Sequence, residues 1–170
     1  VMDGPCYFLR RNKLLRRNME PKIMDARTTP LTDPLGEPEP AERVFDALME
    51  RGWRLLDPSD ARTYGHPGSL QYATFEHSGI RLGLGKAESL IVKFGVVMVQ
   101  AAGPADLLVA ALLVDKALKR QGRGRAALQE LNAIADALGV TLYIEPEPLE
   151  KWGAPRAQLK KLYHSCGYHP

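Results

Sequence analysis

Cysteine is scarce in this chain: Cys6 and Cys166 are the only two among 170 residues. Two thiols so far apart cannot build a disulfide framework, and neither belongs to a Cys-x-x-Cys pair, so no metal site is expected. A reduced, cytoplasmic setting is the default expectation. Long apolar runs are also missing. None approaches the roughly 18 residues that span a bilayer, and the first residues do not read as a secretory signal, so no membrane partner is expected. A charge surplus is absent from the body of the chain. The formal net charge is +3, while residues 1–20 hold five basic residues and two acids. The other 150 residues therefore carry equal numbers of each sign, which argues against a broad polyanion-binding face.

What is present fits one domain of ordinary size, with 45% apolar and 25% charged residues. Residues 1–40 read as a basic arm and a proline-rich linker preceding a domain over 41–170. The arm holds Arg10, Arg11, Lys13, Arg16 and Arg17. Two readings stay open for it: a solvated helical extension, or a weak, salt-sensitive contact of residues 10–17 with nucleic acid. Self-association through the arm is a third. Pro21, Pro30, Pro34, Pro38 and Pro40 follow, a density that no helix or inner strand tolerates.

Periodicity then predicts a helix over 41–52 with Val44, Phe45, Leu48 and Met49 on one face, and a short strand over 53–56. The stretch 69–77 alternates like a strand. Ile80–Leu84 and Leu90–Gln100 are apolar and β-branched and read as antiparallel strands. Leu107–Val114 is nearly unbroken apolar sequence, suited to a sheet centre covered on both faces. A helix is expected over 125–138, with Leu128, Leu131, Ile134, Ala135 and Leu138 inward and Gly139 as its stop. A strand over 140–145, parallel to Leu107–Val114, and a helix over 155–166 close the pattern. The fold class is therefore α+β, with a mixed, mostly antiparallel central sheet flanked by helices.

Residues 112–128 carry the most chemistry. Leu112, Leu113 and Val114 end a strand, and a short turn containing Lys119, Arg120, Gln121, Gly122, Arg123, Gly124 and Arg125 opens a helix. Unpaired amides at a helix start, aided by its dipole, form an anion cradle, and the two glycines let a ligand approach the backbone. Two other phosphate binders fail on named residues. Gly83-Leu84-Gly85-Lys86-Ala87 lacks the leading glycine and the hydroxyl of a P-loop, and Ala127 stands where a dinucleotide fingerprint needs glycine.

The order of elements and two motifs resemble the GNAT superfamily of acetyl-CoA-dependent N-acetyltransferases. The first motif is Leu112-Leu113-Val114, four residues, then Lys119-Arg120-Gln121-Gly122-Arg123-Gly124, which also fits in the frame Gln121-x-x-Gly124-x-Ala126. The second is Leu162-Tyr163-His164-Ser165-Cys166-Gly167-Tyr168, similar to the family's Leu-Tyr-x-x-x-Gly-Phe/Tyr signature. The likeness covers residues 90–168, with Lys119 in place of the usual Arg or Gln.

The resemblance implies acetyl transfer to a primary amine by direct attack. The amides of Arg120–Arg125 would hold the pyrophosphate of acetyl-CoA, and pantetheine would lie along Leu112–Val114. An amide near Val114 would face the thioester oxygen. It further implies Tyr163 as the acid at the departing thiol and Glu145 as the base for the amine, with Glu147 and Asp115 as weaker candidates. The acceptor would be a small molecule or peptide. A nucleic-acid-linked amine, or a CoA-binding module without turnover, are the alternatives. Most members continue past the second motif into a strand hairpin walling the acceptor site. With Pro170 last in this chain, that wall is expected to be shortened or supplied from elsewhere in the chain or by a second subunit of a homodimer. Trp152 is a candidate cover for the acceptor pocket. His66, His77, His164 and His169 read as surface or packing residues, and Cys166 as structural.

Overall fold

A computed structural model describes residues 9–11, 38–60, 62–63, 72–94, 102–146 and 154–170. In chain order they form β1 (Leu9–Arg11), α1 (Pro40–Glu50), β2 (Arg54–Leu55), β3 (Ala73–His77), β4 (Ile80–Gly85) and α2 (Ala87–Phe94). There follow β5 (Asp106–Val114), a 3-10 turn (Lys116–Leu118), α3 (Arg123–Leu138), β6 (Thr141–Ile144) and α4 (Arg156–Ser165). The six strands make one sheet in the order β1-β6-β5-β4-β3-β2. Every neighbouring pair is antiparallel except β5–β6, which is parallel and joined through α3. The fold is α+β, with a mixed sheet flanked by helices.

Alternation along the strands assigns the two faces, because successive side chains point to opposite sides. Leu107, Val109, Leu142 and Ile144 join Val44 and Leu48 of α1 and Leu128, Leu131, Ile134 and Ala135 of α3 in the main core. Leu108 and Tyr143 turn to the other face and meet Leu90 of α2. Burial of both faces is why β5 reads as continuous apolar sequence instead of alternating. At about 25 cal/mol per Å², a fully buried leucine such as Leu107 or Leu142 contributes roughly 2 kcal/mol.

Three expectations need correction. Leu90 belongs to a helix: α2 covers Ala87–Phe94, and the remainder of the expected strand lies outside the described residues. A short apolar run has the same periodicity in a buried strand and a buried helix, and the β-branched Ile91 and Val92 tilted the reading towards a strand. The Ser89 and Leu90 amides bond back to the Lys86 carbonyl at 2.9 and 3.4 Å and start the helix, with Glu88 in its dipole-favoured first turn. Met49, expected inward, is 41% exposed at the end of α1. Leu9–Arg11 is no helical extension, since it pairs with Ile144, Tyr143 and Leu142 as the edge strand beside β6.

Candidate functional site

The sheet opens along one line. On one side β5 stays paired with β4 as far as Val114↔Ile80. On the other it pairs with β6 only from Asp106↔Thr141 to Val109↔Ile144. Among the described residues, no strand lies against Ala110–Val114 on that second side. The ladder also slips there. Gly83 faces Ala111 and Leu84 faces Val109, which leaves Ala110 as an extra residue in a β-bulge. Bulges bend a strand and re-aim its groups, and here the bulge falls where β5 and β6 part.

Backbone alternation tells which amides face the opening. Asp115 N–H donates to the Gly79 carbonyl at 2.8 Å, towards β4. The amides of Leu113 and Ala111 therefore also face β4, while those of Leu112 and Val114 face the open side. Their side chains pack under α3. A β-carbon on Gly124 would sit 3.4 Å from Val114 Cγ2 and 4.0 Å from Leu112 Cδ2, tighter than most real contacts at the first distance. Gly124 thus allows the close approach of helix and strand, a packing duty beside the expected ligand one.

The turn before α3 is built from left-handed backbone. Gly122, the residue capping α3, has φ +73°, and Arg120 has φ +65°. For an arginine that conformation costs on the order of 1 kcal/mol, whereas glycine adopts it freely. No side chain caps the helix and no acid stands in its first turn. The Gly122 carbonyl accepts from Ala126 N–H at 3.0 Å, so helix geometry leaves the amides of Arg123, Gly124 and Arg125 without an intrahelical acceptor. Arg120, Gln121, Gly122, Arg123 and Arg125 are exposed, and Lys119 is half-buried. Gln121 braces the turn, its Nε2 donating to Ala117 O and its Oε1 accepting from Arg123 Nε, both at 3.4 Å. The expected cradle residues are therefore together at one helix start, directly under the open edge of β5.

Glu145 follows Ile144, the last residue of β6 paired to β5, and stands half-buried where the two strands separate. Tyr163 is 6% exposed in α4 and belongs to the main core, with its ring 6.1 Å from that of Tyr168. Burial pushes its phenol up to about 12, with the Cys166 thiol adding to the shift. The hydroxyl therefore stays protonated at neutral pH. Against a thiol of ordinary pKa near 8.5, full proton transfer from it is uphill by roughly 5 kcal/mol. As the residue stands, hydrogen-bond donation is the chemistry it can perform.

Asp115 is exposed, with Oδ2 lying 2.9 Å from where a β-carbon on Gly79 would be. Glu147, Trp152 and His66 lie outside the described residues. His164 and His169 are exposed at the end of α4 with rings 5.9 Å apart, and His77 Nδ1 is 3.1 Å from the Gly52 carbonyl. Cys166 is buried and free. Compared with protein-family models, curated proteins and solved structures, the chain matches none. Among the described residues no cluster of ligating side chains is arranged for a metal ion, and no helix is long and apolar enough to cross a membrane.

Sequence reasoning missed a second constellation. Arg11 Nη1 and Nη2 lie 2.6 and 2.7 Å from the two carboxylate oxygens of Asp136, and Arg11 Nε donates to the Cys166 carbonyl at 3.1 Å. Asn132 Nδ2 donates to the same carbonyl at 3.2 Å, and Tyr168 Oη donates to Asn132 Oδ1 at 2.7 Å. Arg11 is thus turned inward and is not displayed for a polyanion. The expectation of nucleic-acid contact through residues 10–17 is left to Arg10 and to residues outside those described. No local pattern betrays such a corner, because Arg11 is 121 to 155 residues away from its partners in the chain.

Proposed function

We propose that the protein is a GNAT-like N-acetyltransferase, moving an acetyl group from acetyl-CoA to a primary amine by direct attack. One observation carries the reading: β5 parts from β6 after Val109, beside a bulge, directly over an uncapped helix start rimmed by basic side chains. In this reading the amides of Arg123–Arg125, with Arg120 and Lys119 around them, hold the CoA pyrophosphate. Pantetheine adds to the open edge of β5 as an extra strand. The Leu112 or Val114 amide donates to the thioester oxygen as it gains charge, a contribution typically near 3 kcal/mol. Glu145, at the mouth of the same opening, takes the amine proton directly or through water. The amine nitrogen bonds the carbonyl carbon, the carbon–sulfur bond breaks, and Tyr163 hydrogen-bonds the leaving sulfur.

Calorimetry with CoA, followed by thiol release from acetyl-CoA over amino acids, polyamines, aminoglycosides, peptides and tRNA, tests the assignment. The wild-type protein should bind CoA. Arg120→Glu with Arg123→Glu, two exposed positions that leave the core intact, should weaken binding by about a factor of 10 or more, since both reverse a phosphate contact. Folded wild-type protein with no affinity for any acyl-CoA would refute the reading. A second reading, a CoA-binding module without turnover, is favoured by the burial of Tyr163 and its high phenol pKa. Binding without thiol release for any amine would select it.

A further inference from the structure

The Arg11 corner ties residues 9–11 to residues 166–169 at the far side of the sheet from β2. Arg10 N–H donates to the His169 carbonyl at 2.7 Å, and His169 N–H donates back to the Arg10 carbonyl at 2.9 Å. Leu9 is 2% exposed and adds its side chain to the main core. Arg11 then makes the fork to Asp136 of α3, reaches the Cys166 carbonyl with Nε and the Asn132 carbonyl at 3.3 Å with Nη1. The fit is close. Gly167 has φ +92°, and a β-carbon there would stand 3.1 Å from Arg11 Nε.

The same turn holds Tyr163. Its carbonyl accepts from the Cys166 and Tyr168 amides, both at 3.0 Å. Tyr168 is fully buried and donates to Asn132. Two chains of bonds therefore run from Arg11 to the backbone of Tyr163, one through residue Cys166 and one through Asn132 and Tyr168. A planar guanidinium suits this place, because it can bind a carboxylate bidentately while a third N–H serves a carbonyl.

Resting on the function proposed above, we infer that Arg11 is a positioning residue for the acetyl-transfer site: by joining Asp136, Asn132 and Cys166, it sets where the Tyr163 hydroxyl sits. The strand at residues 9–11 is then part of the catalytic domain, not an appendage to it. Lysine cannot replace the arginine, since a single ammonium lacks the fork.

The test uses the full chain with Arg11→Lys and the gentler Asp136→Asn, each at a temperature well below its unfolding midpoint. Acetylation kinetics are combined with 19F NMR of 3-fluorotyrosine placed at position 163. We expect kcat to fall about 10- to 100-fold, as slight misplacement of a reacting group does. KM for acetyl-CoA should stay within about twofold, because the cradle is remote from the corner. The fluorine resonance should shift and titrate at lower pH than in the parent. An unchanged resonance and titration overturns the inference whatever happens to kcat, and so does a displaced resonance with unchanged kcat. If the parent acetylates nothing, the function proposed above fails instead, while the resonance still decides whether Arg11 places Tyr163.

Discussion

The two ends of β5 and β6 meet opposite fates. At the opening, the amides of Leu112 and Val114 face no strand among the described residues, no side chain caps the helix start, and Arg120, Arg123 and Arg125 are exposed. At the Arg11 corner, a buried tyrosine, a buried asparagine and an ion pair satisfy one another within a few ångströms. In the open region backbone amides have no partner strand or intrahelical acceptor among the described residues, the capacity that the proposed ligand would use. The closed region spends that capacity internally, which suits it to holding shape. Mutations should separate the two: stability should follow the corner and ligand affinity the opening.

The largest effect is expected from Arg11→Ala. It leaves the Asp136 carboxylate, only 22% exposed, without its guanidinium partner and the Cys166 carbonyl with the Asn132 amide but no arginine, which should lower unfolding free energy by about 3 kcal/mol. Urea unfolding measures this directly, and a loss under 1 kcal/mol would show that the corner is ornamental. Of similar size is the alkaline response. The Tyr163 phenol is raised in the folded state from 10 to about 12, and Tyr143 and Tyr168 are also raised by burial. A raised folded value contributes stability that is fully present below pH 10 and disappears as pH climbs through 12. For Tyr163 alone the loss across that window is about 3 kcal/mol. Tyr163→Phe should flatten the decline by that amount, which thermal melts between pH 9 and 12 would show.

Substitutions in the cradle should disturb folding less. Gly122→Ala forces a β-carbon into left-handed backbone and should cost about 1 kcal/mol by chemical denaturation, although nothing stands within 4 Å of the new methyl. The smallest effect runs the other way. Arg120→Gly relieves the same kind of strain but loosens the unfolded chain, for a net gain of roughly 0.5 kcal/mol. It should also weaken CoA binding, so stability and affinity would move in opposite directions at one residue.

The motif strand, the turn from Lys119 to Arg125 and helix α3 were legible because strand, glycines and helix periodicity are contiguous and each constrains its neighbours. The parallel crossover to β6 followed from the same local order. Leu90 misled because a short apolar run does not reveal its own period. Arg11 misled for another reason: a basic residue among basic neighbours reads as solvated until an acid 125 residues away is known to face it.

By itself the sequence determined the α+β pattern and the order of elements from β5 onward. It also determined the basic, glycine-bearing helix start, because propensity, periodicity and turn chemistry act over a few residues. Only the tertiary structure decided that β5 and β6 part after Val109, that Ala110 bulges, and that residues 9–11 complete the sheet beside the chain's last residues. Those features depend on pairing between segments that are not neighbours in the chain, and such pairing leaves no mark on the local pattern of either one.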